Sequence, residues 1–142
     1  MIVSKKTYLS LREIQEEEVK MLSVLIDFLD EEKIDYYLMY GSLLGAIRHS
    51  GFIPWDDDID VGILRDDYEK LLNLLKNKGI EINSHICFIG WELSNSDWPY
   101  LKLVNTKIGI DGNSRSDKNL YIDVFPLDNI LLRTCNCIIY TT

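Results

Sequence analysis

Asp58-Ile59-Asp60-Val61-Gly62-Ile63 sets acidic and then small residues against apolar ones at every second position. Successive side chains of a strand point to opposite faces, so this stretch reads as one strand with Ile59, Val61 and Ile63 turned to a core. Asp58 and Asp60 then share the other face, close enough to hold a divalent cation between them. Without a cation the two carboxylates repel, and each loses hydration. A solvated acidic edge strand is the plainer alternative, because isolated Asp-x-Asp pairs are common. A calcium loop is a further rival, since Asp56, Asp58 and Asp60 alternate and Asp67 is twelfth counting from Asp56. That loop requires glycine at its sixth position, where this chain has Val61, so it is rejected.

Upstream, Ser10 and Glu13 are spaced as a capping box at the start of a helix. Leu11, Ile14, Leu22, Leu25, Ile26 and Leu29 follow at helical spacing, and the helix is expected to end near Lys33. Residues 36–40 form a short aromatic strand stopped by Gly41, and residues 42–48 a short helix. Residues 51–55 are a loop, because Pro54 lacks an amide donor and disfavours helix at Ile53. Downstream, a helix starts at Asp66 with Glu69 three residues on, buries Tyr68, Leu71, Leu72 and Leu75, and stops at Gly79. Strand-like pieces follow at 80–83, 86–93, 100–104 and 120–125. The order predicts an α+β domain, one over residues 1–142, with a mixed sheet and helices packed on one side.

The chain has 142 residues, 46% of them hydrophobic and 27% charged, which suits a packed core rather than disorder. The formal net charge is -8 and no basic stripe of the kind a duplex-binding protein carries is visible, so no nucleic-acid partner is expected. Acidity does not exclude a phosphate-bearing substrate, because bound divalent cations reverse the local sign. Cys87, Cys135 and Cys137 complete no zinc spacing and read as reduced thiols in a cytoplasmic protein. Residues 1–12 lack the apolar core of a signal peptide, and the apolar stretch at 21–29 is too short to span a bilayer. The expectation is a soluble protein with no transmembrane segment.

Two further elements bear on chemistry. Gly41-Ser42 lies where a strand meets a helix: a glycine allows close backbone approach, and the helix start offers free amides to a phosphate. A plain strand-to-helix turn accounts for the dipeptide equally well. Asp123, in Tyr121-Ile122-Asp123-Val124-Phe125-Pro126, is an acid within an apolar strand and wants a partner. A buried salt bridge is one solution. Combination with Asp58 and Asp60, as the third carboxylate of a two-metal phosphoryl-transfer site, is another.

Tyr40-Gly41-Ser42-Leu43-Leu44-Gly45-Ala46-Ile47-Arg48-His49, then Gly51-Phe52-Ile53-Pro54-Trp55-Asp56-Asp57-Asp58-Ile59-Asp60, resembles the signature of the LicD family. Arg65-Asp66-Asp67-Tyr68 and Tyr121-Ile122-Asp123-Val124-Phe125-Pro126-Leu127-Asp128 continue it in order, so the resemblance covers about residues 11–128. Members are considerably longer than this chain, and residues 133–142 depart from the pattern. A chain shortened after its catalytic half is therefore expected.

The resemblance implies a nucleotidyltransferase fold of the DNA polymerase beta type. It also implies transfer of choline phosphate, or a related phosphate-linked group, from CDP-choline or a similar donor to a hydroxyl of a cell-surface glycan such as lipopolysaccharide or teichoic acid. Two Mg²⁺ or Mn²⁺ ions held by Asp58, Asp60 and Asp123 would serve it, with Gly41 and Ser42 at the donor's phosphates. Arg48 is a candidate phosphate clamp, with capping of carbonyls or pairing to Asp56 or Asp57 as the other reading. Lys102 is a candidate phosphate ligand, with a surface lysine at a sheet edge as the other. His49 is expected to make a structural hydrogen bond, Trp55 to pack its loop over the core, and Asp56 and Asp57 to flank the site or face solvent. The rival functions are nucleotide transfer to another acceptor and a non-catalytic nucleotide- or metal-binding remnant.

Overall fold

The computed structural model describes residues 9–109 and 119–128; the atypical residues 129–142 lie outside them. Helix α1 (Leu11–Glu31) starts at the expected capping box, with the Glu13 amide donating to the Ser10 hydroxyl and the Ser10 amide donating to the Glu13 carboxylate at 2.7 Å. Met21, Leu25 and Leu29 recur on its buried stripe. Lys33, at φ 56, turns the chain out of the helix.

There follow β1 (Tyr37–Leu38), α2 (Tyr40–His49), β2 (Asp60–Leu64), α3 (Arg65–Lys78), β3 (Ile86–Ile89), a 3₁₀ turn (Trp91–Leu93), β4 (Leu101–Gly109) and β5 (Asn119–Leu127). The strands form one five-stranded sheet in the order β1-β2-β5-β4-β3. Only β2 and β5 run parallel; the other pairs are antiparallel, so the sheet is mixed as expected. Val61, Ile63, Leu101, Leu103, Ile122 and Val124 alternate onto one face, where they join Leu25 and Leu29 of α1 and Tyr68 and Leu71 of α3 in a single apolar cluster. Each such fully buried aliphatic side chain contributes about 1.5–3 kcal/mol. Tyr68 adds a polar anchor, its hydroxyl accepting the Leu101 amide at 2.8 Å.

Several boundaries differ from the sequence reading. Strand β2 begins at Asp60, leaving Asp58 outside it, because β1 is too short to pair beyond Val61 and the register with β5 opens at Asp60 and Asp123. Helix α2 begins at Tyr40, before Gly41. The Met39 amide is held by the Asp60 carbonyl at 3.0 Å and its carbonyl accepts the Leu43 amide at 3.0 Å, so the chain turns into the helix at that point. Helix α3 leaves β2 directly at Arg65 without a side-chain cap, and Asp66 and Asp67 fall in its first turn, where the helix dipole favours acids. Gly79, at φ 111, ends it. Residues 80–83 supply a single bridge rather than a strand, since the Asn83 side chain accepts the His85 and Ile86 amides in a turn. The strand expected over 86–93 stops at Ile89, where Asn95 accepts the Gly90 amide at 2.8 Å and the 3₁₀ turn begins. Among the described residues no helix is long and apolar enough to cross a membrane.

Candidate functional site

The face of the sheet opposite the α1 and α3 helices carries the charged residues. Asp60 on β2 is in register with Asp123 on β5, and Asp123 is in register with Lys102 on β4, so the three stand in a row across adjacent strands. The Lys102 ammonium lies 2.7 Å from Asp123 Oδ1, with the lysine side chain 1% exposed. Its Nζ also sits 3.9 Å from the Trp98 ring centroid and 3.6 Å from that of Tyr121, so aromatic faces share in neutralising it. Neither surface lysine nor sheet edge applies: β4 lies inside the sheet and Lys102 is buried. Its contact is with Asp123, the salt-bridge solution for that acid.

Asp60 is half-buried, and its surroundings hold its carboxyl at about 6. Burial is the largest cause, followed by the charges of Asp58, Asp123 and Asp56, with Lys102 opposing them. Asp58 and Asp123 are thus close enough to Asp60 to perturb it. The tightest carboxylate group among the described residues is nevertheless Asp56, Asp57 and Asp58, which offer one oxygen each within 4.8 Å of one another. The structure therefore brings Asp58, Asp60 and Asp123 into one electrostatic neighbourhood without closing them to mutual ligand distance. Asp56 and Asp57 are partly buried rather than exposed, and they belong to this group.

Three contacts that no local pattern announces hold the acidic segment. The Ser42 hydroxyl accepts the Asp60 amide at 2.8 Å, tying α2 to the head of β2. Gln15 of α1 donates to the Asp56 carbonyl at 2.8 Å. Gly45 lets the loop fold onto α2, since a Cβ there would lie 2.5 Å from the Gly51 carbonyl oxygen. Gly41 sits in the first turn of α2, where a Cβ would come within 2.6 Å of Asp56 Oδ2; a carboxylate already lies at this helix start.

Arg48 and His49 are exposed in the last turn of α2. Arg48 stands about 10 Å along the helix axis from Gly41, and among the described residues it forms no ion pair with Asp56 or Asp57. Its place favours the carbonyl end of the helix dipole. Trp55 is 78% exposed and does not pack over the core, because the preceding loop turns it outward at residues 54–55. Aromatic residues that the sequence reading left out of the site lie beside it: Trp98, Tyr100, Tyr121, Phe125 and Tyr40. Tyr121 and Phe125 alternate with Asp123 along β5, and Tyr100 stands two residues before Lys102, which is the signal for those three; Tyr40, on α2, and Trp98, ahead of β4, carry no such alternation.

Residues 33–135 match a family model described as LicD/FKTN/FKRP, nucleotidyltransferase domain. Over 66 residues the chain is 47% identical to the lipopolysaccharide cholinephosphotransferase LicD of Haemophilus influenzae, an alignment covering 46% of this chain and 25% of that protein. A Rickettsia typhi protein is 32% identical over 90 residues, 61% of this chain and 27% of its own length. Human ribitol 5-phosphate transferase FKRP is 46% identical over 43 residues, 30% of this chain and 9% of the human protein. The chain spans between 25% and 27% of the length of the two bacterial relatives. The family match takes in α2, the acidic segment, β2, β4 and β5, the elements that build the carboxylate site, and the chain belongs to the LicD/FKTN/FKRP family.

Proposed function

We propose that this chain carries the catalytic part of a metal-dependent transferase. On this reading it moves choline phosphate, or a related phosphate-linked group, from a CDP-activated donor to a hydroxyl of a cell-surface glycan such as lipopolysaccharide or teichoic acid. The observation that carries the reading is the row of Asp60, Asp123 and Lys102 across β2, β5 and β4, bordered by Asp56, Asp57 and Asp58. The framework is that of a nucleotidyltransferase fold working in the cytoplasm, peripheral to a membrane where the acceptor is.

The donor set suits a hard divalent cation, being all carboxylate oxygen. Burial and, after it, the neighbouring negative charges raise the Asp60 carboxyl, and a bound cation would offset the second of these. Asp58, Asp60 and Asp123 are the residues that would hold Mg²⁺ or Mn²⁺, two ions in the full site. When bound, the ions neutralise the donor's diphosphate and polarise the acceptor hydroxyl. The chain's own part is positional. Ser42 holds the Asp60 backbone in place, Lys102 orients Asp123, and Gly41, lacking a Cβ, lets the Asp56 carboxylate sit against the first turn of α2. The bond from the transferred phosphorus to the CMP oxygen breaks, the bond to the acceptor oxygen forms, and the acceptor proton leaves to a carboxylate or solvent.

Thermal unfolding with Mg²⁺ or Mn²⁺, with and without CDP-choline, beside Asp58→Ala, tests the proposal. A metal-dependent rise with CDP-choline, lost in Asp58→Ala, supports it; release of CMP on adding a glycan acceptor extends it to turnover. Equal stabilisation by any nucleotide triphosphate favours nucleotide transfer to another acceptor. Stabilisation without turnover favours a binding remnant, and no stabilisation by any nucleotide sinks the reading for this chain.

A further inference from the structure

Beside the carboxylates stands a group of aromatic rings, and one half of it already holds a cation. On β5, Tyr121, Asp123 and Phe125 project from the same face, with Phe125 about 7 Å along the strand from Asp123. The Lys102 ammonium lies closest to the Trp98 and Tyr121 faces, and is 5.7 Å from the centroid of Tyr100, which thus borders both halves. The other half lies on the far side of Asp123. Here the Phe125 ring packs against Tyr100 at a centroid distance of 4.5 Å and receives Tyr40 edge-on at 5.7 Å and 88°.

Tyr40 is unusual in two respects. The residue is 65% exposed although its ring belongs to this aromatic group. Its backbone takes φ 44, a left-handed conformation that bulky residues rarely adopt and that costs on the order of 1–3 kcal/mol. The residue before it, Met39, is held to the Asp60 carbonyl, and the residue after it, Gly41, abuts the Asp56 carboxylate. An exposed aromatic edge is thereby fixed at the rim of an acidic site.

We infer that Tyr40 and Phe125, backed by Tyr100, form the subsite for the quaternary ammonium head of the donor. The inference rests on the transferase reading above and names the part of the donor that this wall selects. Ring faces attract a cation, and the surrounding carboxylates favour a positive head over a neutral base. A trimethylated nitrogen carries no N–H, so it leaves water without needing hydrogen-bond acceptors, which the rings do not supply. A primary ammonium loses those bonds on entering the same place. The separation of Phe125 from Asp123 along β5 fits a phosphate at the carboxylates and a cationic head one short linker away.

The experiment is calorimetric titration of the full chain in Mg²⁺ with CDP-choline, CDP-ethanolamine and CMP, for the wild type, Tyr40→Gly and Phe125→Leu. Glycine tolerates the backbone at position 40, so the first variant should fold, and CMP affinity serves as the check on both. The expected result is that the wild type binds CDP-choline about five- to tenfold tighter than CDP-ethanolamine, in line with cation–π strengths. That ratio should fall to near unity in both variants while CMP affinity stays within about twofold. If the wild type binds the two donors equally, the inference is overturned while the transferase reading stands. If the variants lose CMP along with both donors, the rings hold the base and the inference is again overturned. If no nucleotide binds the wild type, the inference and the transferase reading fall together.

Discussion

The backbone amide of Asp60 donates to the hydroxyl of Ser42 at 2.8 Å, across a loop that separates α2 from β2. The bond makes the first residue of β2 a dependent of the first turn of α2. Ser42 therefore works as an acceptor for the protein's own backbone.

Ser42→Ala removes that acceptor from a part-buried amide. Unfolding in urea should show a loss of about 1–3 kcal/mol. The variant should also bind Mn²⁺ more weakly than the wild type, because Asp60 is no longer held at the head of its strand. Unchanged Mn²⁺ affinity with lowered stability would confine Ser42 to a structural part.

Lys102→Met strips Asp123 of a buried counter-ion. Removing one partner of a buried pair costs about 3–5 kcal/mol, so the metal-free variant should be strongly destabilised. Combining it with Asp123→Leu should recover most of that loss, since an apolar pair of similar size in such a place is near neutral. If the double variant were as unstable as the single one, packing against Trp98 and Tyr121 would outweigh the charge.

The raised carboxyl of Asp60 predicts a pH dependence. The folded protein keeps the proton up to about 6, whereas the unfolded chain releases it near the ordinary value of 3.8. Between these values the folded state binds more protons, so this group's contribution to stability is full below 3.8 and declines as pH rises through about 6. A divalent cation opposes the decline. Melting curves at pH 5 and pH 7.5 should therefore show greater stabilisation by Mn²⁺ at the higher pH, and Asp60→Asn should flatten the difference.

Gly45→Ala places a methyl group 2.5 Å from the Gly51 carbonyl oxygen and 2.9 Å from the Ile53 nitrogen, both backbone atoms that cannot swing aside. Displacing the loop should cost about 1–3 kcal/mol. Because that loop leads into Asp56, Asp57 and Asp58, metal affinity should fall with it. A neutral substitution would mean that the loop moves freely against α2.

Local periodicity was enough for much of the framework. The stripe of Met21, Leu25 and Leu29, the box of Ser10 and Glu13, the buried face of α3 and the alternation of Ile122 and Val124 each depend on neighbours within a few positions, so they are legible in the chain. The family signature likewise pointed to the segments that build the site, because its residues are contiguous runs. Boundaries were less legible. Whether Asp58 joins a strand depends on how far β1 and β5 extend beside it, and a chain read in isolation has no neighbours.

The sequence by itself determined which residue types lie in the candidate site: alternating acids leading into a strand, a glycine-serine pair at a helix start and a lone acid in an apolar strand, all set by residue type and short-range order. Only the tertiary structure decided how they are partnered. Lys102 is buried on Asp123 because β4 runs antiparallel beside β5 in that register. Asp56 comes to Gly41 because the loop folds back over α2. Tyr40 meets Phe125 because α2 packs beside a strand some eighty residues later in the chain. Contacts between distant positions carry no local periodicity; they follow from the register of the sheet and the closing of its loops.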